Sequence, residues 1–433
     1  MSVFGALNTA VSGLTAEAAA FSNISNNVAN SQTVGYKEAQ TSFLDYLDPQ
    51  ATSDSQSGSV TAKTEYMNDV QGTIVSSTDS TALAISGQGF FSVSVANGTT
   101  ASGPTFSPEQ YYTRAGDFSL NTDGYLVNSA GDYLNGWTVD TAGTVNQNAL
   151  NPIQVSETVY NPVATANITL SANLPPGGNP DASDSTIQDP ITSTVDVYDS
   201  QGTEQPLTLS FTSAGADSNE WTLNVYEGSS TTSIGTATVD FDASGDLSSV
   251  TQNGTTQSTS GDAATVTLAT TFSTTTGTQN ITLNLGDIGT TKGLTQYSGS
   301  SYSLRSITQD GCAPGSFSSV SMTTTGNVVV NYNNGESRTI AQVPVITFSD
   351  PNGLQQEGSS TFAATTDSGN AIADAAGNNG AGTLETSSVE DSNVDLSTEF
   401  TNLIIAQQAY AANAKIVTTA NDMLNTDLSM KQQ

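Results

Sequence analysis

The 433-residue chain has no histidine, one cysteine (Cys312) and only eight lysines and arginines, and each scarcity excludes something. Without imidazole there is no Ser-His-Asp or Cys-His catalysis, no histidine-containing zinc site and no imidazole proton shuttle. One cysteine permits no intramolecular disulfide, and a small residue tolerated in a loop or core accounts for Cys312 more simply than a reactive thiol. The eight basic residues face 41 acidic ones, for a net charge of −33. Such a field opposes nucleic acid or an anionic membrane surface as partner and favours solubility. No window has the length and hydrophobicity of a membrane span, so no membrane insertion is expected. The opening residues, MSVFGALNTAVSG, lack a basic region and a continuous apolar run, so they do not read as a standard signal peptide.

What is present is length enough for two or three domains, 35% hydrophobic residues, and an abundance of Gly, Ser, Thr, Asn and Asp. That mixture predicts a β-rich body with many turns. The two ends differ from it. From the N-terminus, Phe4, Leu7, Val11, Leu14, Ala18, Phe21, Ser25 and Val28 alternate at spacings of three and four, the seam of a coiled-coil helix, with Ser2 able to cap its start. Near the C-terminus, Leu396, Phe400, Leu403, Gln407, Tyr410, Ala414, Val417, Asn421, Leu424 and Leu428 repeat the pattern behind Asp395, a natural N-cap. The plainer alternative is two ordinary amphipathic helices packed on a core. A lone pair of such helices is marginal in water. Both ends are therefore expected to be largely disordered in the monomer and to fold when neighbouring copies supply the missing surface; well-protected amides at both ends of a dilute monomer would refute this.

After the first seam, the stretch ISNNVANSQTVGYK (residues 24–37) breaks the helix at Asn26, Asn27 and Asn30 and reaches Gly35, which lets the chain turn sharply. Tyr36, Phe43, Tyr46 and Leu47 follow as apolar anchors, suited equally to neighbouring subunits or to packing within one. Beyond them the period changes from 3.5 to 2. TRAGDFSLNTDGYLVNSAGDYLNGW reads as short strands with turns at Asp123-Gly124 and Ala130-Gly131-Asp132; its NTDG lacks the ligand spacing of a calcium loop. Residues 191–213 give two strands around Asp199–Gly202, and Trp221, Leu223, Val225, Val239 and Phe241 fall on one face. Residues 318–348 read as a three-strand meander with turns at Gly326 and Asn334-Gly335, and TDSGNAIADAAGNNGAGTLETS as a low-complexity connector. The predicted fold is mainly β with α-helical termini. Paired terminal helices (1–30 and 392–433) and a connector (31–71) accompany a discontinuous β middle domain (72–157 and 291–391) and an inserted β domain (158–290). No cofactor, metal or catalytic site is expected.

Several of these segments resemble the axial-protein family of the bacterial flagellum, the rod and hook proteins. The resemblance lies in SGLTAEAAAFSNISNNVANSQTVGYK near the start, SNVDLSTEFTNLIIAQQAYAANAKIVTTANDMLNTDL at the end, and GQGFFSV, TRAGDFSLNTDGYLVNSAGDYLNGW, VPVITFSDPNGLQQEGSSTFAATTDSG and GAGTLETSSVEDSNVDL between them. These lie along the chain in the family's order and cover about a third of it. An insert as long as 158–290 is similar to that of hook members, whereas distal-rod members are much shorter. The chain departs from the family at Val34, where proline is usual, and at Gln408, where arginine is common.

The resemblance implies a structural, self-polymerising subunit of the hook, a short curved tube that carries torque from rod to filament. It also implies export without a cleaved signal through the flagellar type III apparatus, an extracellular place in the flagellum, and the hook cap, distal rod and hook-filament junction proteins as partners. The terminal helices would line the tube, the connector would reach neighbouring subunits, and the insert would lie outermost with salt-dependent sliding contacts. Phe4, Leu7, Val11, Leu14, Phe21, Val28, Asn30, Gly35, Tyr36, Phe43, Leu396, Phe400, Leu403, Tyr410, Val417, Leu424 and Leu428 are the expected assembly residues. A distal-rod subunit and a secreted β-rich adhesin are the alternatives, and a histidine-free glycosidase with paired carboxylates is the weakest reading.

Overall fold

A computed structural model of the chain describes residues 3–46, 59–100, 103–140, 143–155, 159–176, 178, 189–215, 218–272, 277–299, 301–358 and 360–431. Ser2, Leu47 and the side chains of Tyr46 and Leu428 lie outside the described residues. The fold is mainly β with a helix at each end, α1 (Val3–Ala29) and α2 (Leu396–Lys431). It divides into two compact units, one formed by Met1–Glu157, Ser319–Asn331 and Ser337–Gln433, the other by Thr158–Ser318 and Tyr332–Glu336.

The helix starts and stops have local causes. Asp395 caps α2: its Oδ1 accepts from the Ser397 N–H at 2.8 Å, and its carbonyl accepts from Glu399 N–H at 2.9 Å. The bond from the Ser397 N–H holds the Asp395 carboxyl below its ordinary range. The expected break at Asn26 and Asn27 does not occur, for α1 runs through both to Ala29. Asn27 stays helical because its side chain is fully engaged by the chain that follows. Its Nδ2 donates to the Ala39 carbonyl at 2.9 Å, while its Oδ1 accepts from Ala39 N–H at 2.9 Å and from the Tyr36 hydroxyl at 3.1 Å. The turn comes after Ala29 and ends at Gly35, with φ +69°.

In the first unit the connector folds as a hairpin of β1 (Ala39–Tyr46) and β2 (Ser59–Tyr66), paired antiparallel from Ala39↔Tyr66 to Tyr46↔Ser59. It is tied to α1 by Asn23 Nδ2, which donates to Thr41 Oγ1 at 2.8 Å and Thr64 Oγ1 at 3.0 Å. A sheet joins Ser337–Gln342, Tyr133–Val139, Phe91–Ser94, Tyr111–Thr113 and Thr361–Ala363 in that order. Phe90, Phe91, Phe118, Leu134 and Phe362 are buried around it. The expected turn at Gly124 is present, with φ +80°. The expected low-complexity connector is instead strand-bearing: Ile372–Asp374 pairs with Val345–Thr347, and Thr383–Thr386 with Leu83–Ser86. Its Ala, Gly and Asn side chains hide the pairing because strands this short show no periodicity of their own.

The second unit is two β-sheets sharing one core. One is a meander of six strands in chain order, from Ile191–Tyr198 to Thr255–Gln257. Along Ile191–Tyr198 burial alternates residue by residue, the signature of a sheet with one face inside. Trp221, Leu223, Val225, Val239 and Phe241 lie in the core, on the face the alternation predicts. The other sheet is built on Asn167–Asn173, which pairs with Gln279–Asp287, Leu294–Thr295 and Ser303–Gln309. Residues beyond 290 are thus hydrogen-bonded into the same sheet as residues 167–173.

Candidate assembly surface and its buried anchor

α1 and α2 pack antiparallel. Gly13 lies against Asn413, so that a Cβ there would come within 2.8 Å of its Nδ2, whereas Ala20 and Ile24 line a pocket with Asn402 and Ala406. The buried apolar positions are mostly small: Ala10, Ala16 and Ala20 beside Ile24 on α1, and Ala406 and Ala420 on α2. Small side chains let the backbones approach closely.

The seam residues are left at the surface. Phe4 is 70% exposed, Phe21 42%, Phe400 53% and Tyr410 48%, and Val11 and Leu396 are exposed too. Leu7, Leu14, Val28, Leu403, Val417 and Leu424 are half-buried. Ile404, Ile405, Ile416 and Met423, outside the expected seam, widen the apolar surface of α2. Phe43 is exposed on β1. Asn30 is held locally, its Nδ2 donating to the Asn26 carbonyl at 2.9 Å and its Oδ1 accepting from Thr33 Oγ1 at 3.1 Å. Gly35 and Tyr36 are buried within their own chain, so they act as internal packing rather than as surface anchors.

Beneath this surface sits a cluster of charge that no local pattern announces. The Glu390 carboxylate accepts from Lys37 Nζ at 2.6 Å, from Arg114 Nη1 at 2.9 Å and from the Gly72 N–H at 2.8 Å. Lys37 also donates to the Val70 carbonyl at 2.6 Å, and Arg114 Nη2 to the Gly87 carbonyl at 2.7 Å. The guanidinium lies 5.3 Å from the centre of the Phe90 ring, within cation–π range. All three charged side chains are essentially buried. Burial pulls the Lys37 ammonium and the Arg114 guanidinium below their ordinary values, and Glu390 opposes the shift in both. The carboxylate fastens the connector, the middle strands and the approach to α2 at one point.

A second acidic site lies between α1, β1 and α2, where Glu17, Glu38 and Glu399 line a pocket of about 200 Å³. Burial raises the carboxyl of Glu399, and the neighbouring Glu38 raises it further. Burial also raises Glu38, partly offset by a hydrogen bond with Glu399. A group whose folded pKa is raised stabilises the fold below its unfolded value, and that contribution is lost as pH rises through the folded value. The stability of Glu399→Gln relative to the native chain is therefore expected to grow as pH rises above the ordinary glutamate value of 4.5. Urea midpoints across that range check it, and a pH-independent difference would refute the shift.

Comparison with known proteins identifies the lineage. Residues 7–37 match a family described as flagella basal body rod protein, 84–173 the D1 domain of flagellar hook protein FlgE/F/G, 167–312 the D2 domain of flagellar basal body protein FlaE, and 385–430 the C-terminal region of flagellar basal body rod FlgEFG proteins. The chain is 32% identical to flagellar hook protein FlgE of Brucella suis over 441 residues, covering 100% of both chains. It is 30% identical to FlgE of Escherichia coli, covering 98% of this chain and 100% of that one. A crystal structure of Helicobacter pylori hook protein FlgE2 is similar with a TM-score of 0.48 and 16% identity, covering 72% of this chain and 99% of that one. With full-length identity at this level and matched regions at both helical ends, the chain belongs to the flagellar hook protein FlgE family.

Proposed function

We propose that this chain is a structural subunit of the bacterial flagellar hook, polymerising into a curved, flexible tube that transmits torque from rod to filament. The observation that carries this reading is the apolar stripe left at the surface of α1 and α2. Monomers rarely keep so many large side chains exposed together, and burying each fully would contribute about 1.5–3 kcal/mol. Contacts between different surfaces of successive copies that do not close into a ring give an open helical polymer. Residues 1–30 and 392–433 form the inner tube in this reading, and the chain acts by assembly rather than by catalysis. It would reach the flagellum through the type III export apparatus without signal cleavage. There it would meet the hook cap, the distal rod and the hook-filament junction proteins.

Electron microscopy of flagella labelled with antibody against residues 158–290 tests the placement. Label on the short curved segment is the expected result; label on the straight rod or away from flagella would overturn it. Phe21→Asp and Phe400→Asp test the surface. Both sites are exposed, so the monomer's unfolding free energy should change little, by about 0.5 kcal/mol or less, while sedimentable polymer is lost. Polymer yield equal to that of the native chain would remove the stripe from the assembly interface.

A further inference from the structure

The pocket formed by Glu17, Glu38 and Glu399 sets buried carboxylate against apolar walls. Glu399 is 2% exposed, and although its side chain meets Asn27 and Glu38, its Oε2 has no hydrogen-bond partner of its own among the described residues. Buried carboxylate oxygens are rarely left so, because nothing in the protein replaces the water they give up. Among the described residues no group of three or more His, Cys, Asp or Glu side chains is arranged to hold a metal ion. The walls supply the other half of the chemistry, since Ala20, Ile24 and Ile405 line the same space. Carboxylates at the base of apolar walls suit a lysine, whose aliphatic stem lies along apolar surface while its ammonium reaches the charge.

The chain has eight cationic side chains, and four of them have other partners. Lys37 and Arg114 are bound to Glu390, Lys63 pairs with Glu65 at 3.5 Å, and Arg305 is bonded to the Ala172 and Gly293 carbonyls. The Lys431 side chain lies outside the described residues. Lys292 and Arg338 lie in the β body. Lys415 stands on a terminal helix, exposed and without an ion pair among the described residues. It lies sixteen residues after Glu399 on α2, roughly 24 Å along the axis, beyond the reach of its own side chain. We propose that Lys415 of a second copy of this chain inserts between Glu17, Glu38 and Glu399, a head-to-tail contact between terminal helices. It rests on the reading of the chain as a polymerising hook subunit and specifies which residues join successive copies. Burial raises the carboxyls of Glu38 and Glu399, and an arriving ammonium would favour their ionisation.

A carbodiimide, which joins an ammonium directly to a contacting carboxylate, tests this on the full-length chain, with mass spectrometry to locate the links. In assembled polymer, links from Lys415 to Glu17, Glu38 or Glu399 are expected, as a ladder of multimers; dilute monomer should give none. Lys415→Glu should raise the concentration needed for assembly by at least about tenfold. Lys415→Arg should not, and adding Glu17→Lys to Lys415→Glu should recover part of the loss. Polymer whose Lys415 remains unlinked, or whose glutamates are joined to a different lysine, would overturn the contact and leave the hook reading intact. Links that stop at dimers would overturn the head-to-tail geometry. Failure of the native chain to polymerise would overturn the hook reading and this contact together.

Discussion

Replacing Glu390 by alanine is expected to lower the stability of the first unit by about 3–5 kcal/mol, the cost of stripping a buried ion pair of one partner. Glu390 is the carboxylate held by both Lys37 and Arg114, so its removal leaves two buried cations unpaired. It also deprives the Gly72 N–H of its acceptor. Against a total stability of about 5–15 kcal/mol, such a loss removes a large fraction of the folded population. Glu390→Gln should be milder, because the amide oxygen can still accept a hydrogen bond while the charge is gone. Urea unfolding followed by tryptophan fluorescence measures both: Trp137 is buried in the first unit and Trp221 in the second, so the variants should shift the transition that exposes Trp137 and leave that of Trp221 in place. A loss below about 1 kcal/mol for the alanine variant would mean that the cluster behaves like a solvated surface pair.

Gly35→Ala should be nearly as damaging, for two separable reasons. The residue sits at φ +69°, which costs an L-residue about 1–2 kcal/mol. A Cβ there would also lie 2.2 Å from the Ala115 nitrogen and 2.5 Å from its Cα, so backbone must move, an overpacking cost of about 1–3 kcal/mol. Gly131 separates the two effects, since its φ is +90° and a Cβ would meet nothing within 4 Å. The alanine variant at 131 should show the conformational cost alone and the variant at 35 the sum. Equal losses at the two positions would mean that residue 35 does not approach Ala115 in solution.

Much of this architecture was legible in the sequence wherever its cause is local. The 3-4 spacing gave both helices, Asp395 the start of α2, Gly124 and Gly326 their turns, and alternation the face of the second unit's core. Pattern alone failed where the cause is distant. The seam of large residues was visible, but which face of α1 turns inward depends on alanines that carry little hydrophobic signal. Asn27 read as a helix breaker because its partners, Tyr36 and Ala39, come into reach only after the chain turns at Gly35. Lys37, Arg114 and Glu390 gave no warning at all. Each is an ordinary charged residue among polar neighbours, and only the folded chain brings them together.

The distance between those partners has a kinetic consequence. Lys37 and Glu390 are separated by 353 positions, and Arg114 and Glu390 by 276. Contacts of such long range demand loop closure before they return any stabilisation, and they slow folding accordingly. In a chain delivered with its N-terminus first, the clasp at Lys37 cannot shut until nearly the whole polypeptide has emerged. In a chain so delivered, the last segment to arrive would act as a timer: the leading helix would have no α2 to pack against until transit was almost complete.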